Sequence, residues 1–239
     1  MKQQTGREEL KTTCGIVATI VLGFIIFMIG VIYVPWLQTK DEVIKVAAIG
    51  DSITQGVGVF LDDGTNGSYP SQLQSLLGGR YRVTNYGLGG RSLLSTDTAP
   101  YTNDKFYKES QMANPDIVLI MLGTNDSSSD HWNADLYEKE LIKLVGVYTR
   151  LPSKPKVYLL TVPAARVANQ GATAESISAR TIKNEVVPLI VRVARITKTP
   201  IIDIYAATKD HLDLFPDGVH PNAEGYKIIA EKAYASIRR

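Results

Sequence analysis

Four short segments of the 239-residue chain combine glycine with small polar side chains, and one of them adds a histidine. They are Gly50-Asp51-Ser52-Ile53-Thr54, Gly87-Leu88-Gly89-Gly90-Arg91-Ser92, Gly123-Thr124-Asn125-Asp126 and Asp217-Gly218-Val219-His220. The last sets a carboxylate three residues before an imidazole, in a chain with only 3 histidines. A serine hydroxyl is a weak nucleophile until a base takes its proton. A neutral imidazole does this, and a nearby carboxylate fixes its tautomer and stabilises the imidazolium that forms. These residue types match the requirements of acyl transfer. Taken singly, each segment has a plainer explanation. Glycine supplies a turn and Asp, Ser or Asn caps the next helix; Asp217 is then a turn residue and His220 a surface residue before a helix opening at Pro221. A phosphate cradle at Gly87–Gly90 is disfavoured, since the full dinucleotide spacing and a Walker lysine are both missing.

The elements that must position these residues alternate along the chain. Val43–Ile49, Arg80–Gly87 (with Val83 and Tyr86), Ile117–Leu122, Val157–Val162 and Ile201–Ile204 read as strands, and Ile117–Leu122 is a continuous apolar run, as a fully buried parallel strand requires. Tyr69–Leu77, Asn133–Arg150, Ala174–Ile196 and Asn222–Ile237 have helical spacing, with a kink or break expected at Pro188. Strands alternating with helices predict an α/β protein with a parallel sheet covered on both faces. In such sheets ligands gather at the carboxyl ends of the strands. Three of the four polar segments lie at strand exits, and the fourth immediately precedes the closing helix.

At this point the chain resembles the GDSL or SGNH hydrolases, a family named for its Ser, Gly, Asn and His. Four of the family's motifs occur in order: Gly50-Asp51-Ser52, the glycine turn ending at Gly90, Gly123-Thr124-Asn125-Asp126, and Asp217-x-x-His220. The likeness covers roughly residues 44–237. It implies a flavodoxin-like three-layer α/β/α sandwich with a mainly parallel five-stranded sheet. It further implies Ser52 as nucleophile, His220 as general base and acid, Asp217 as the orienting carboxylate, and an oxyanion hole from the Ser52 and Gly90 amides and the Asn125 side chain. The resemblance implies no cofactor. No cluster of metal ligands stands out in the sequence, so chelation by EDTA is expected to be harmless.

Other polar residues carry less. Asp51 and Asp126 adjoin the motif and are expected to secure loops by hydrogen bonds. Arg91, His131 and Trp132 are candidate substrate contacts, and Asp130-His131 is an alternative acid and base pair. His211 has no evident role, and 62–68 reads as a loop near the entrance.

Composition sets the boundaries. Of 26 basic and 24 acidic residues, 4 and 2 lie in residues 1–40, leaving 22 of each in the remainder. A neutral body lacks the positive excess a nucleic-acid partner needs. The single cysteine, Cys14, excludes an intrachain disulfide framework and a cysteine-based zinc site. Residues 14–34 contain no charge and, at about 1.5 Å per residue, cover the roughly 30 Å hydrocarbon core of a bilayer. The expected organisation is a short cytoplasmic N-terminus (1–13), a transmembrane signal anchor (14–34), a linker (35–43) and an extracytoplasmic domain (44–239). The alternative is secretion after signal cleavage, although the run exceeds the usual ~7–15 residue signal core and lacks a small-x-small exit.

The function expected is hydrolysis of short acyl esters, acetyl foremost, with acetylated carbohydrate as the favoured substrate class. Lipase, lysophospholipase, thioesterase or acyltransferase action uses the same nucleophile, because fold and triad do not specify the acceptor. A different class of reading is a non-catalytic carbohydrate-binding surface module, against which the joint presence of Ser52, Gly90, Asn125, Asp217 and His220 argues.

Overall fold

Five strands form one parallel sheet in the computed structural model, which describes residues 19–29, 43–59, 67–128, 132–166 and 177–238. The strands are β1 (Ile44–Gly50), β2 (Tyr81–Gly87), β3 (Ile117–Met121), β4 (Lys156–Leu160) and β5 (Ile201–Ile202), in the order β2-β1-β3-β4-β5. All neighbouring pairs are parallel. β3, at the centre, is buried at all five positions, which explains its unbroken apolar sequence.

The helices are α1 (Ser52–Gln55), α2 (Tyr69–Leu77), α3 (Lys105–Met112), α4 (Ala134–Thr149), α5 (Ala179–Thr181), α6 (Val187–Thr197), α7 (Ile204–Thr208) and α8 (Ala223–Ile237). The chain steps one way along the sheet from β1 to β2 and the other way thereafter. Right-handed crossovers therefore place α2 on one face and α3, α4 and α6 on the other. The helix contacts agree: α2 packs on α8, and α4 packs on α6. This is the three-layer sandwich expected from the sequence. Its direction reverses beside β1, and crevices for ligands form outside the carboxyl ends of strands at such reversals.

Register brings the strand exits together. Gly50 of β1 pairs with Gly87 of β2 and with Met121 of β3, so three chains leave the sheet at one level. Glycine is required at two of these ends. A Cβ on Gly50 would lie 2.0 Å from Thr54 Oγ1 and 2.6 Å from the Met121 carbonyl oxygen, and one on Gly87 would lie 2.3 Å from the Gln55 nitrogen. Only bare backbone lets α1 fold back this tightly over the sheet edge.

Buried tyrosines hold the exits in place. Tyr101 donates its hydroxyl to the Tyr86 carbonyl at 2.8 Å, Tyr137 to the Leu122 carbonyl at 2.8 Å, and Tyr226 of α8 to the Val57 carbonyl at 3.0 Å. All three rings are fully buried. The aromatic body contributes packing while the hydroxyl satisfies a carbonyl that water does not reach.

Several boundaries differ from those read in the sequence. The fifth strand ends at Ile202, because Asp203 caps α7 by accepting from the Ala206 N–H at 3.0 Å. The long helix expected over 174–196 is interrupted by a π-helical turn, Ile182–Val186, and Pro188 lies in the first turn of α6, where its missing N–H is tolerated. Its first residues, 174–176, lie outside the described set.

The chain divides into units Met1–Glu42 and Val43–Arg239. In the first unit, residues 19–29 are helical and expose Ile20, Phe24 and Phe27. Among the described residues no helix is long and apolar enough to cross a membrane. The rest of the expected 14–34 span, and the linker up to residue 42, lie outside them.

Candidate active site

Ser52 opens α1 directly after β1, with Asp51 as its N-cap. The Asp51 carboxylate accepts from the Ile53 N–H at 2.9 Å, which fixes the first turn and presents the serine side chain at the sheet edge. His220 arrives from the opposite end of the sequence, on the segment between β5 and α8. Its Nε2 lies 2.8 Å from Ser52 Oγ, and its Nδ1 lies 2.6 Å from Asp217 Oδ2.

The Asp217 turn is built to hold that ring. Oδ1 accepts from the backbone N–H groups of Val219 (2.9 Å) and His220 (2.7 Å), leaving Oδ2 for the imidazole. Burial alone would raise the carboxyl, but the hydrogen bonds from the His220 ring and from the His220 and Val219 amides hold it below the ordinary carboxylate value. An ionised carboxylate only accepts, so Nδ1 carries the proton in the neutral imidazole and Nε2 is free to accept from the serine hydroxyl.

Gly90 and Asn125 come from the exits of β2 and β3. Gln55 Oε1, at the end of α1, accepts from the Gly89 N–H at 2.8 Å, and a Cβ on Gly89 would lie 3.8 Å from Ser52 Cβ. The glycine turn therefore lies against the serine. Asn125 Nδ2 donates to the Arg91 carbonyl at 2.8 Å, joining the two exits. Asp126 accepts from the Leu93 and Leu94 N–H groups through Oδ1, both at 2.8 Å.

Two carboxylates beneath the site are fully buried. Burial pushes Asp51 up to about 6, against the lowering influence of the Ile53 amide, the Thr124 hydroxyl and the His220 charge. Burial pushes Asp126 up to about 7; the Leu93 and Leu94 amides lower it, and the Asp51 charge raises it. Both act as loop fasteners in the geometry, Asp51 on α1 and Asp126 on the segment after Gly90.

The remaining candidates are distributed differently. The Arg91 guanidinium pairs with Asp104 at 3.1 Å and donates to the Gly89 carbonyl at 3.2 Å, so it braces the glycine turn from outside. Trp132 donates its indole N–H to Glu185 Oε2 at 2.5 Å and packs on the Tyr137 ring at 5.2 Å. Asp130, His131 and residues 62–66 lie outside the described residues. His211 belongs to the turn before Leu212–Leu214 and donates its amide to the Thr208 carbonyl at 3.0 Å.

Two supporting residues were not singled out in the sequence. One is Gln55, described above. The other is Arg166, after β4, which donates from Nη2 to the carbonyls of Phe215 and Pro216, both at 3.1 Å, and from its amide to Gly218 at 3.0 Å. It braces the turn that carries Asp217. Neither has a local sequence mark, since its partners are 34 to 52 residues away. Among the described residues no group of three or more His, Cys, Asp or Glu is arranged to hold a metal ion.

The fold is a parallel α/β/α sandwich with a serine, a histidine and an aspartate hydrogen-bonded in series at its carboxyl edge. Residues 48–228 match the GDSL-like Lipase/Acylhydrolase family, and the chain belongs to that family. It is 33% identical over 229 residues to an acetylxylan esterase of Xylanibacter ruminicola, covering 85% of this chain and 46% of that protein. The chain spans less than half the length of the curated relatives it matches. Among solved structures it is similar to a putative arylesterase from Agrobacterium tumefaciens, with a TM-score of 0.65 and 25% identity over 82% of this chain and 98% of that one. It is also similar to a catalytic mutant of an acetylxylan esterase from Geobacillus stearothermophilus, with a TM-score of 0.61 and 25% identity over 81% and 93% of the two chains.

Proposed function

We propose that the Val43–Arg239 unit is a serine esterase that removes short acyl groups, acetyl foremost, from carbohydrate. The observation that carries this reading is the hydrogen-bonded chain from Ser52 Oγ through His220 to Asp217. The acetylxylan esterases among its relatives support the substrate class.

In this reaction Ser52 Oγ attacks the ester carbonyl carbon while its proton passes to His220 Nε2. The imidazolium is stabilised by the Asp217 carboxylate. Negative charge on the former carbonyl oxygen is met by the Ser52 and Gly90 amides and by the Asn125 Nδ2 hydrogen that Arg91 does not take. His220 then returns the proton to the departing sugar oxygen, leaving acyl-Ser52. Water attacks the acyl-enzyme with His220 again as base, and free carboxylic acid and Ser52 are regenerated.

The same proposal places residues 14–34 in a membrane, with the N-terminus cytoplasmic and the catalytic unit on the far side. Twenty-one consecutive uncharged residues support it. Retention of the chain in membranes after alkaline carbonate washing is expected, and release of a shortened chain lacking residues 1–34 overturns the anchor.

The substrate class is tested by turnover of acetylated xylo-oligosaccharide, p-nitrophenyl acetate and p-nitrophenyl palmitate. Efficient release of acetate from the sugar, with palmitate poor, is expected. Preference for palmitate, or no acetate release from the sugar, contradicts the carbohydrate reading.

A further inference from the structure

On the far end of the segment that follows Gly90 lies a cavity of about 270 Å³ that includes none of the residues assigned above to acyl chemistry. It is bounded by α4, by Ser95 and by the 3-10 turn Tyr101–Asn103. Its polar side is pre-arranged. Glu140 Oε2 accepts from the Ser95 N–H at 2.8 Å and Oε1 from the Ser95 hydroxyl at 2.5 Å. The carboxylate is thus fixed through both oxygens, and each oxygen retains a lone pair for another donor.

We propose that this cavity is a subsite for one neutral sugar unit of the carbohydrate substrate. The proposal rests on the carbohydrate reading above and deepens it. Size restricts the occupant: the volume is below the ~300–1,000 Å³ of sites for larger ligands, so a single ring fits and an oligosaccharide does not. Charge restricts it further. Glu140 and the exposed Lys143 contribute one charge of each sign, so a neutral ligand rich in hydroxyls meets an acceptor and a donor without leaving a net charge behind. Val147, half-buried on α4, supplies the apolar surface that the C–H face of a pyranose covers, with Leu93 buried behind it. The Tyr107 ring lines the cavity and is held edge-on by Tyr101 and Tyr148.

Position completes the argument. Ser95 is four residues beyond Arg91, and the segment between them is fastened at three points: Arg91 by Asn125, Leu93 and Leu94 by Asp126, and Ser95 by Glu140. Four fully extended residues span at most about 14 Å. A short oligosaccharide therefore reaches from the cavity to the neighbourhood of Asn125, with one ring anchored and another presenting its acyl group.

Backbone amide NMR shifts of the 239-residue Ser52→Ala chain, titrated with xylobiose and separately with sodium acetate, test this. Xylobiose is expected to move the amides of Ser95, Asn103, Glu140 and Val147 saturably, and acetate is expected to leave them in place. Val147→Phe, which fills the cavity while leaving the Ser95–Glu140 bonds intact, is expected to weaken xylobiose binding at least tenfold with the thermal melt preserved. Absence of shifts there at saturating xylobiose, shifts confined to Gly90 and Asn125, shifts with acetate alone, or unchanged affinity in Val147→Phe each overturns the subsite. The binding readout is separate from hydrolysis: a chain that releases no acetate from sugars but binds xylobiose in the cavity loses the proposed reaction and keeps the subsite, and the converse result does the opposite.

Discussion

Asn125 reaches across 34 positions of sequence to donate its side-chain N–H to the Arg91 carbonyl at 2.8 Å. That bond orients the amide, commits one of its two hydrogens, and ties the exit of β3 to the glycine turn after β2. In the proposed reaction the second hydrogen meets the oxyanion. Asn125→Ala is expected to lower kcat by roughly 10²–10³, equivalent to about 2.7–4 kcal/mol, with little change in KM. Steady-state kinetics on p-nitrophenyl acetate measure it, and an undiminished kcat removes Asn125 from the reaction.

Asp217 fixes the His220 tautomer, and an amide in its place permits the wrong one. Asp217→Asn is expected to reduce kcat by about 10⁴, less than the roughly 10⁶ expected for Ser52→Ala. Equal losses in the two variants would assign Asp217 a larger part than orientation.

Arg166 donates to the turn that carries Asp217 and is expected to act as a positioning residue. Removing its two guanidinium hydrogen bonds, each contributing about 1 kcal/mol, is expected to lower kcat on the order of tenfold in Arg166→Ala, with KM unchanged. Arg166→Lys restores part of the loss, since one ammonium reaches one carbonyl. A rise in KM with kcat intact contradicts this role.

Stability should depend on pH through the buried carboxyls. Asp126 is raised from 3.8 to about 7 and Asp51 from 3.8 to about 6, chiefly by burial. Between about pH 4 and 7 the folded chain keeps protons that the unfolded chain releases, so these groups make stability fall as pH rises through that window. Asp217 acts in the opposite sense: lowered in the folded state, it contributes stability above its ordinary value and loses that contribution in acid. Asp126→Asn keeps an acceptor for the Leu93 and Leu94 amides and removes the titration. Urea midpoints between pH 4 and 7.5 are expected to decline less steeply in this variant, and a slope equal to the wild type contradicts the assignment.

Much of this was legible because it is local. Ile117–Met121 is apolar at every position, as burial on both faces demands, and the glycines and small polar residues at Gly50–Ser52, Gly87–Gly90 and Gly123–Asp126 mark strand exits within a few residues of the side chains they serve. Helix α3 left a weaker mark, because in its short sequence Lys-Phe-Tyr-Lys-Glu-Ser-Gln-Met only Ser110 is fully buried and only Phe106 and Tyr107 pack on the core. The sequence extends strand β5 to Ile204 while the structure ends it at Ile202, because an apolar residue at 204 serves equally a strand or the helix that Asp203 caps. Gln55, Arg166 and the hydroxyls of Tyr101, Tyr137 and Tyr226 act on partners far along the chain. Their types alone predict core or surface, and only the fold brings them to the carbonyls and amides they hold.

An active-site-directed fluorophosphonate reads out the activation of Ser52 by His220. Peptide mass spectrometry of the folded chain is predicted to find one stoichiometric adduct, on Ser52, that disappears in Ser52→Ala and forms far more slowly in His220→Ala. No adduct on folded protein, or one that forms at the same rate without His220, means that His220 does not activate Ser52.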